Sequence, residues 1–127
     1  MFWRLKEKFW DLKMKKERAK KGYCRQDVWN INSWFLDIIP KILKDFNEGR
    51  LGYPCDLSND AWDNIIKRMI FCFEEANEDT CSQINEYNFN TDTEKWFKRR
   101  NEIGEYQNHM KNEGLELFSK YFWNLWD

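Results

Sequence analysis

The chain of 127 residues holds one histidine, two prolines, five glycines and three alanines. The single histidine, His109, excludes a paired-imidazole metal site, an H-E-x-x-H helix and a Ser-His-Asp array with an alternative base. Neither G-x-x-x-x-G-K nor G-x-G-x-x-G occurs, so the two common phosphate-cradling loops are missing. The four cysteines (Cys24, Cys55, Cys72 and Cys81) lie nine or more residues apart. That spacing fits neither a C-x-x-C zinc or redox motif nor a dense disulfide scaffold. No apolar run approaches the roughly 20 residues of a membrane span. Charges from Arg4 onward leave no apolar stretch for a secretory signal. Together these absences predict a reduced, cytoplasmic protein that is not an enzyme and needs no cofactor or metal.

Aromatics, in contrast, make up 18% of the chain, with eight Trp among them, against 34% charged residues. So large an apolar payload predicts a folded chain, and the length suits one helical domain spanning 1–127. Asn and Lys are abundant where Ala is scarce, a usage that AT-rich genomes produce. Net charge is −1, unevenly placed. Residues 1–22 carry nine Lys/Arg against three Asp/Glu, a net of +6; residues 23–127 carry twelve against nineteen, a net of −7. A basic arm on an acidic body binds an external anion or its own body, and the near-neutral whole favours the second.

Four helical patterns follow one another. In 1–21, Phe2, Leu5, Phe9 and Leu12 recur at helical spacing, Trp3 and Trp10 widen the stripe, and Gly22 ends it: a basic amphipathic helix. In 33–47, Trp34, Phe35, Ile38, Ile39, Ile42, Leu43 and Phe46 form an apolar face, and Pro40 predicts a kink because it removes the donor for Leu36. In 59–79, Ser58 is the cap, and Trp62, Ile65, Ile66, Met69, Ile70, Phe73 and Ala76 mark the most buried helix. Its acidic end (Glu74, Glu75, Glu78, Asp79) opposes the helix dipole, which points to a metal, a basic partner or the first helix as its use. After a polar loop at Gln83–Asn90, Thr91–Glu94 reads as a capping box. A long helix or helix pair then spans 92–126, with Gly114 as the candidate break.

Short connections make successive helices antiparallel, so the architecture is an all-α, up-and-down bundle of four main helices. The finish of the fourth then returns to the pole where the first begins. Phe2, Trp3, Phe9 and Trp10 are expected to meet Phe118, Phe122, Trp123 and Trp126, and Glu102, Glu105, Glu113 and Glu116 to face the Lys of the first helix. The alternative is that these aromatic ends stay exposed and join subunits or a partner. Trp3, Trp10, Glu74, Glu75, Glu78, Trp123 and Trp126 are accordingly the candidate partner-binding residues. Two loops pair an aromatic with Arg beside Gly: Tyr23, Arg25 and Trp29, and Arg50 and Tyr53. An aromatic face stacks on a base and Arg pairs with phosphate, which makes these five the candidate ligand-binding residues. The loops flank the second helix, ~22 Å apart, so a shared pocket would need a homo-oligomer.

The stretch 22–82 carries a further signature: Gly22-Tyr23-Cys24-Arg25-Gln26-Asp27-Val28-Trp29, Trp34-Phe35-Leu36, Pro40-Lys41-Ile42-Leu43, Gly52-Tyr53-Pro54, then Trp62, Ile66, Met69-Ile70 and Phe73-Glu74. This resembles a group of small uncharacterised proteins of tailed-phage and prophage genomes. The resemblance implies phage origin and action inside the infected bacterial host; it carries over no catalytic residue. The expected function is a non-catalytic binder, a stoichiometric antagonist of a host antiviral-defence protein. One alternative is a sponge for a nucleotide signal held by aromatics and Arg. Another is a membrane- or nucleic-acid-binding accessory protein acting through helix 1–21, with nucleic acid the less favoured partner.

Overall fold

Gly22 ends the first helix with a φ of +86°, a left-handed conformation that glycine adopts without steric cost, and its N–H closes on the Arg18 carbonyl at 2.8 Å. The computed structural model describes residues 2–127; the Phe2 side chain, part of the expected terminal cluster, lies outside the described residues. Among these residues there are five α-helices and no strand: α1 (Phe2–Lys21), α2 (Arg25–Trp29), α3 (Ile31–Gly49), α4 (Asn59–Ala76) and α5 (Thr93–Lys120). The all-α reading, with four long helices, therefore stands. The chain groups into two compact units, Met1–Phe35 and Leu36–Asp127, with the boundary inside α3.

In the first unit the stretch expected as a loop contains the short helix α2. Asp27 explains why. Its carboxylate accepts the Cys24 N–H at 2.8 Å, which ties the start of α2. It also accepts two bonds from the Arg18 guanidinium, at 3.0 and 3.3 Å. Arg18 first, then the Cys24 backbone, hold the Asp27 carboxyl down at about 2. Glu17 accepts the Arg25 N–H at 3.0 Å, and Cys24 is buried beneath these contacts. Two carboxylates thus turn the chain from α1 into α2.

In the second unit α4 supplies most of the core: Trp62, Ile66, Met69, Ile70, Cys72 and Phe73 are buried, as their spacing predicts. Ser58 caps it, accepting the Ala61 N–H at 3.1 Å. Phe71 falls outside the buried face, exposed beneath the Arg68 guanidinium. α5 runs antiparallel to α4: Trp62 meets Tyr121, Arg68 meets Glu113, and Glu75 meets Tyr106. α5 is unbroken through Gly104 and Gly114, so of the two expected forms the single long helix is present and the helix pair is not. Gly114 serves close packing instead. A Cβ there would stand 2.8 Å from Phe73 Cε1 and 3.0 Å from Cys72 Cβ.

α3 also runs through its proline without ending. Pro40 deprives the Leu36 carbonyl of its helical donor. The side chain of Asn77, the buried residue that ends α4, reaches across: its Nδ2 lies 3.4 Å from the Leu36 oxygen and 2.9 Å from Asp37 Oδ1. Asn77 Oδ1 in turn accepts the Asp79 N–H at 3.0 Å. The conformational cost of Pro40 is met by a side chain from another helix.

Two expectations for the last third change. The Thr91–Glu94 capping box does not form, because Asn88 Oδ1 takes the Asn90 and Thr91 N–H groups and α5 starts at Thr93. The helix also stops at Lys120; a 3-10 turn, Phe122–Asn124, then carries the chain into extended backbone. The preceding polar loop is pinned by Arg99, which donates to the Ile84 carbonyl, Glu86 and Gln83.

The two glycines of α5 make opposite predictions. Gly104→Ala has open space around the new methyl and should stabilise the fold by up to ~1 kcal/mol through helix propensity. Gly114→Ala meets Phe73 and Cys72 and should destabilise it by about 1–3 kcal/mol of overpacking, reduced by that same propensity gain. Denaturant melts of both variants check this; a stabilised Gly114→Ala would contradict it.

Candidate functional site

α1 presents a row of uncovered apolar side chains. Trp3, Leu5, Phe9, Trp10 and Leu12 are each more than half exposed. At about 100° per residue, α1 sets Leu5, Phe9 and Leu12 in one row and Trp3, Trp10 and Met14 in another, with Lys6 and Lys13 between the rows. Phe9 packs edge-on to Trp10, and the Lys13 ammonium lies 5.1 Å from the Trp10 ring centroid. The Trp10 ring is therefore flanked by positive charge.

The five candidate ligand-binding residues divide between the units. Tyr23 lines a cavity of about 400 Å³ in the first unit with Val28, Ile31 and Trp34; its walls are mostly apolar. Arg25 opens α2, and Trp29, at its end, is exposed. In the second unit Arg50 is spent on the fold: Nε donates to Asn47 Oδ1 and Nη1 to the Gly52 carbonyl, both at 2.9 Å. Tyr53 has a partner the sequence placed in a different group. It lines a cavity of about 210 Å³ with Trp126, together with Gly52, Pro54, Trp62, Asn124 and Asp127.

That cleft is built by three segments. Trp62, one turn into α4 and 1% exposed, is its floor, held edge-on by Tyr121 with centroids 5.5 Å apart. Antiparallel α5 returns the tail to the start of α4. There both Asp127 carboxylate oxygens accept the Leu51 N–H, at 2.9 and 3.0 Å. Asp127 and Asn124 were not singled out from the sequence, and Trp62 was read as a core residue only. The available signal was topological, since an antiparallel fourth helix must finish beside the loop that precedes the third. Trp123 lies outside the cleft, 84% exposed and edge-on to Phe122.

The acidic residues expected to serve a partner are mostly engaged inside the second unit. Glu74 pairs with Lys44 of α3. Buried Glu75 accepts from the Tyr106 hydroxyl at 2.6 Å, the Ser82 N–H at 2.9 Å and the Ser82 hydroxyl. Burial opposes its charge, but the Ser82 and Tyr106 bonds outweigh burial and leave its carboxyl below the usual range. Glu78 is exposed. Of the four glutamates expected to face the Lys of α1, Glu102 pairs with Arg99 and Glu113 with Arg68.

One cluster has the composition of a reactive thiol site: Cys72, Glu113 and Arg68. Its geometry gives the opposite chemistry. Cys72 Sγ is buried and donates to Glu113 Oε2 at 3.1 Å, and burial first, then that carboxylate, push the thiol up to about 12. Arg68 binds Glu113 through two nitrogens and, with Cys72, holds its carboxyl down at about 2. The cluster is a clasp between α4 and α5. No helix of the described residues is long and apolar enough to cross a membrane. In comparison with known proteins the chain matches no family model, no curated protein and no solved structure.

The clasp predicts an acid limb. Glu113 titrates below its ordinary value of 4.5, so its contribution is complete above that pH and is lost as pH falls through about 2. Thermal melts from pH 5 to 2 should show a steeper loss for the native chain than for Glu113→Gln. The difference should be modest, because Arg68 is half exposed and solvent screens the pair. Parallel slopes would remove Glu113 from the acid response.

Proposed function

We propose that the protein is a non-catalytic binding protein that docks α1 on an acidic protein partner carrying an apolar groove. One observation carries this reading: large apolar side chains on α1 stand in water, interleaved with lysines. Exposed apolar surface of this extent marks an interaction site, and the surrounding cations favour a partner of opposite charge. Two apolar rows parted by Lys6 and Lys13 suit a grooved protein better than a flat membrane interface, which buries one continuous face. The resemblance of 22–82 to phage proteins makes a host antiviral-defence protein the partner class, and a one-to-one antagonist the mode of action. A nucleotide sponge built on Arg50 and Tyr53 is less well supported, because Arg50 is anchored to Asn47 and the Gly52 carbonyl and does not line the cleft that Tyr53 lines.

The experiment is affinity capture from phage-infected bacterial lysate with the full chain and with a Trp3→Ala, Phe9→Ala, Trp10→Ala variant, whose folding is checked by circular dichroism. A host protein held in one-to-one ratio by the native chain and depleted roughly tenfold with the variant is expected. The same pair is then assayed on anionic vesicles and on DNA. Equal capture by both chains overturns the role of α1, and variant-sensitive vesicle binding without a protein partner reassigns α1 to a membrane surface.

A further inference from the structure

We propose that the cleft formed by Tyr53, Trp62 and Trp126 binds an organic cation of the trimethylammonium type, with Asp127 as its counter-ion. The walls carry the argument. Two exposed aromatic side chains, Tyr53 and Trp126, line about 210 Å³ above buried Trp62. An aromatic face is the negative pole of the ring quadrupole, and Trp attracts a cation best. The space is below the roughly 300–1,000 Å³ of sites for drug-sized ligands, so a compact head group fits where a nucleotide does not.

Charge points the same way. The one ionisable acid or base on the walls other than the Tyr53 phenol is the Asp127 carboxylate. It is fixed in place by the Leu51 N–H, yet each oxygen keeps lone pairs for a second interaction. Among the described residues no Lys or Arg lines the cleft. Arg50, the cation of the adjacent loop, directs its donors to Asn47 and to the Gly52 carbonyl. An anionic ligand would meet a carboxylate and no cation there. A methylated ammonium offers no N–H and needs no acceptor geometry, only ring faces and a negative charge nearby. It would also cover Trp126, an indole 76% exposed beside a floor of buried Trp62. The proposal is independent of α1, since every wall residue belongs to the second unit.

The test titrates the full chain with choline, with Nε-trimethyl-lysine and with the uncharged choline isostere 3,3-dimethylbutan-1-ol, read by nuclear magnetic resonance of the indole N–H signals. Saturable one-to-one binding of both cations is expected, with the isostere weaker by roughly tenfold. The tighter of the two cations tells whether a free head group or a protein side chain is the natural source. Trp126→Ala should weaken choline binding roughly tenfold, and Tyr53→Ala should weaken it measurably, with unchanged melting temperatures. Asp127→Asn, which keeps an acceptor for Leu51, should weaken choline but not the isostere. No saturable choline binding, or equal binding of choline and its isostere, overturns the proposal.

Discussion

The contact between α4 and α5 at Gly114 is the constraint on which the second unit depends. A missing methyl lets the Phe73 ring lie against the α5 backbone, and the register this sets aligns everything along the two helices. Next to Gly114, Glu113 reaches Arg68 and Cys72; two turns further back Tyr106 reaches Glu75; at the other end Tyr121 reaches Trp62. The aromatic cleft is the last consequence of that register, because only a tail delivered beside the start of α4 can tie to Leu51.

Charge follows a related economy. A helix that ends in Glu74, Glu75, Glu78 and Asp79 opposes its own dipole. The fold offsets this locally: Lys44 neutralises Glu74, hydroxyl and amide donors hold Glu75, and Asn77 closes the end. In α1, Arg18 pairs with Asp27 at the turn into α2. Several carboxylates, Glu74, Glu75 and Glu113 among them, hold the second unit together, while the positive charge of α1 lies on a surface with uncovered rings.

Much of the fold was legible in the sequence, since periodicity reports burial. The α4 stripe from Trp62 to Phe73 and the stop at Gly22 follow from spacing and from glycine's access to positive φ. What escaped depended on partners far along the chain. Gly114 reads as a weak point by propensity alone, and only Phe73 reveals it as a close approach. Thr91 has the form of a cap, but Asn88 takes the Thr91 N–H that Glu94 would accept in a capping box. Tyr53 and Trp126 were each visible as unusual, yet their pairing required knowing where α5 stops. The rings of the two chain ends invited a hydrophobic pairing, but hydrophobicity has no direction and does not name its partner.

The Asn77 bridge to Leu36 makes the two helices it joins interdependent. α3 cannot complete its own backbone ladder at Pro40, so one rung is supplied from the last residue of its neighbour. Fraying of that neighbour strands a carbonyl in the middle of α3 rather than at its end. These helices should therefore melt together, and a local loosening at residue 77 would register as a break some forty positions earlier.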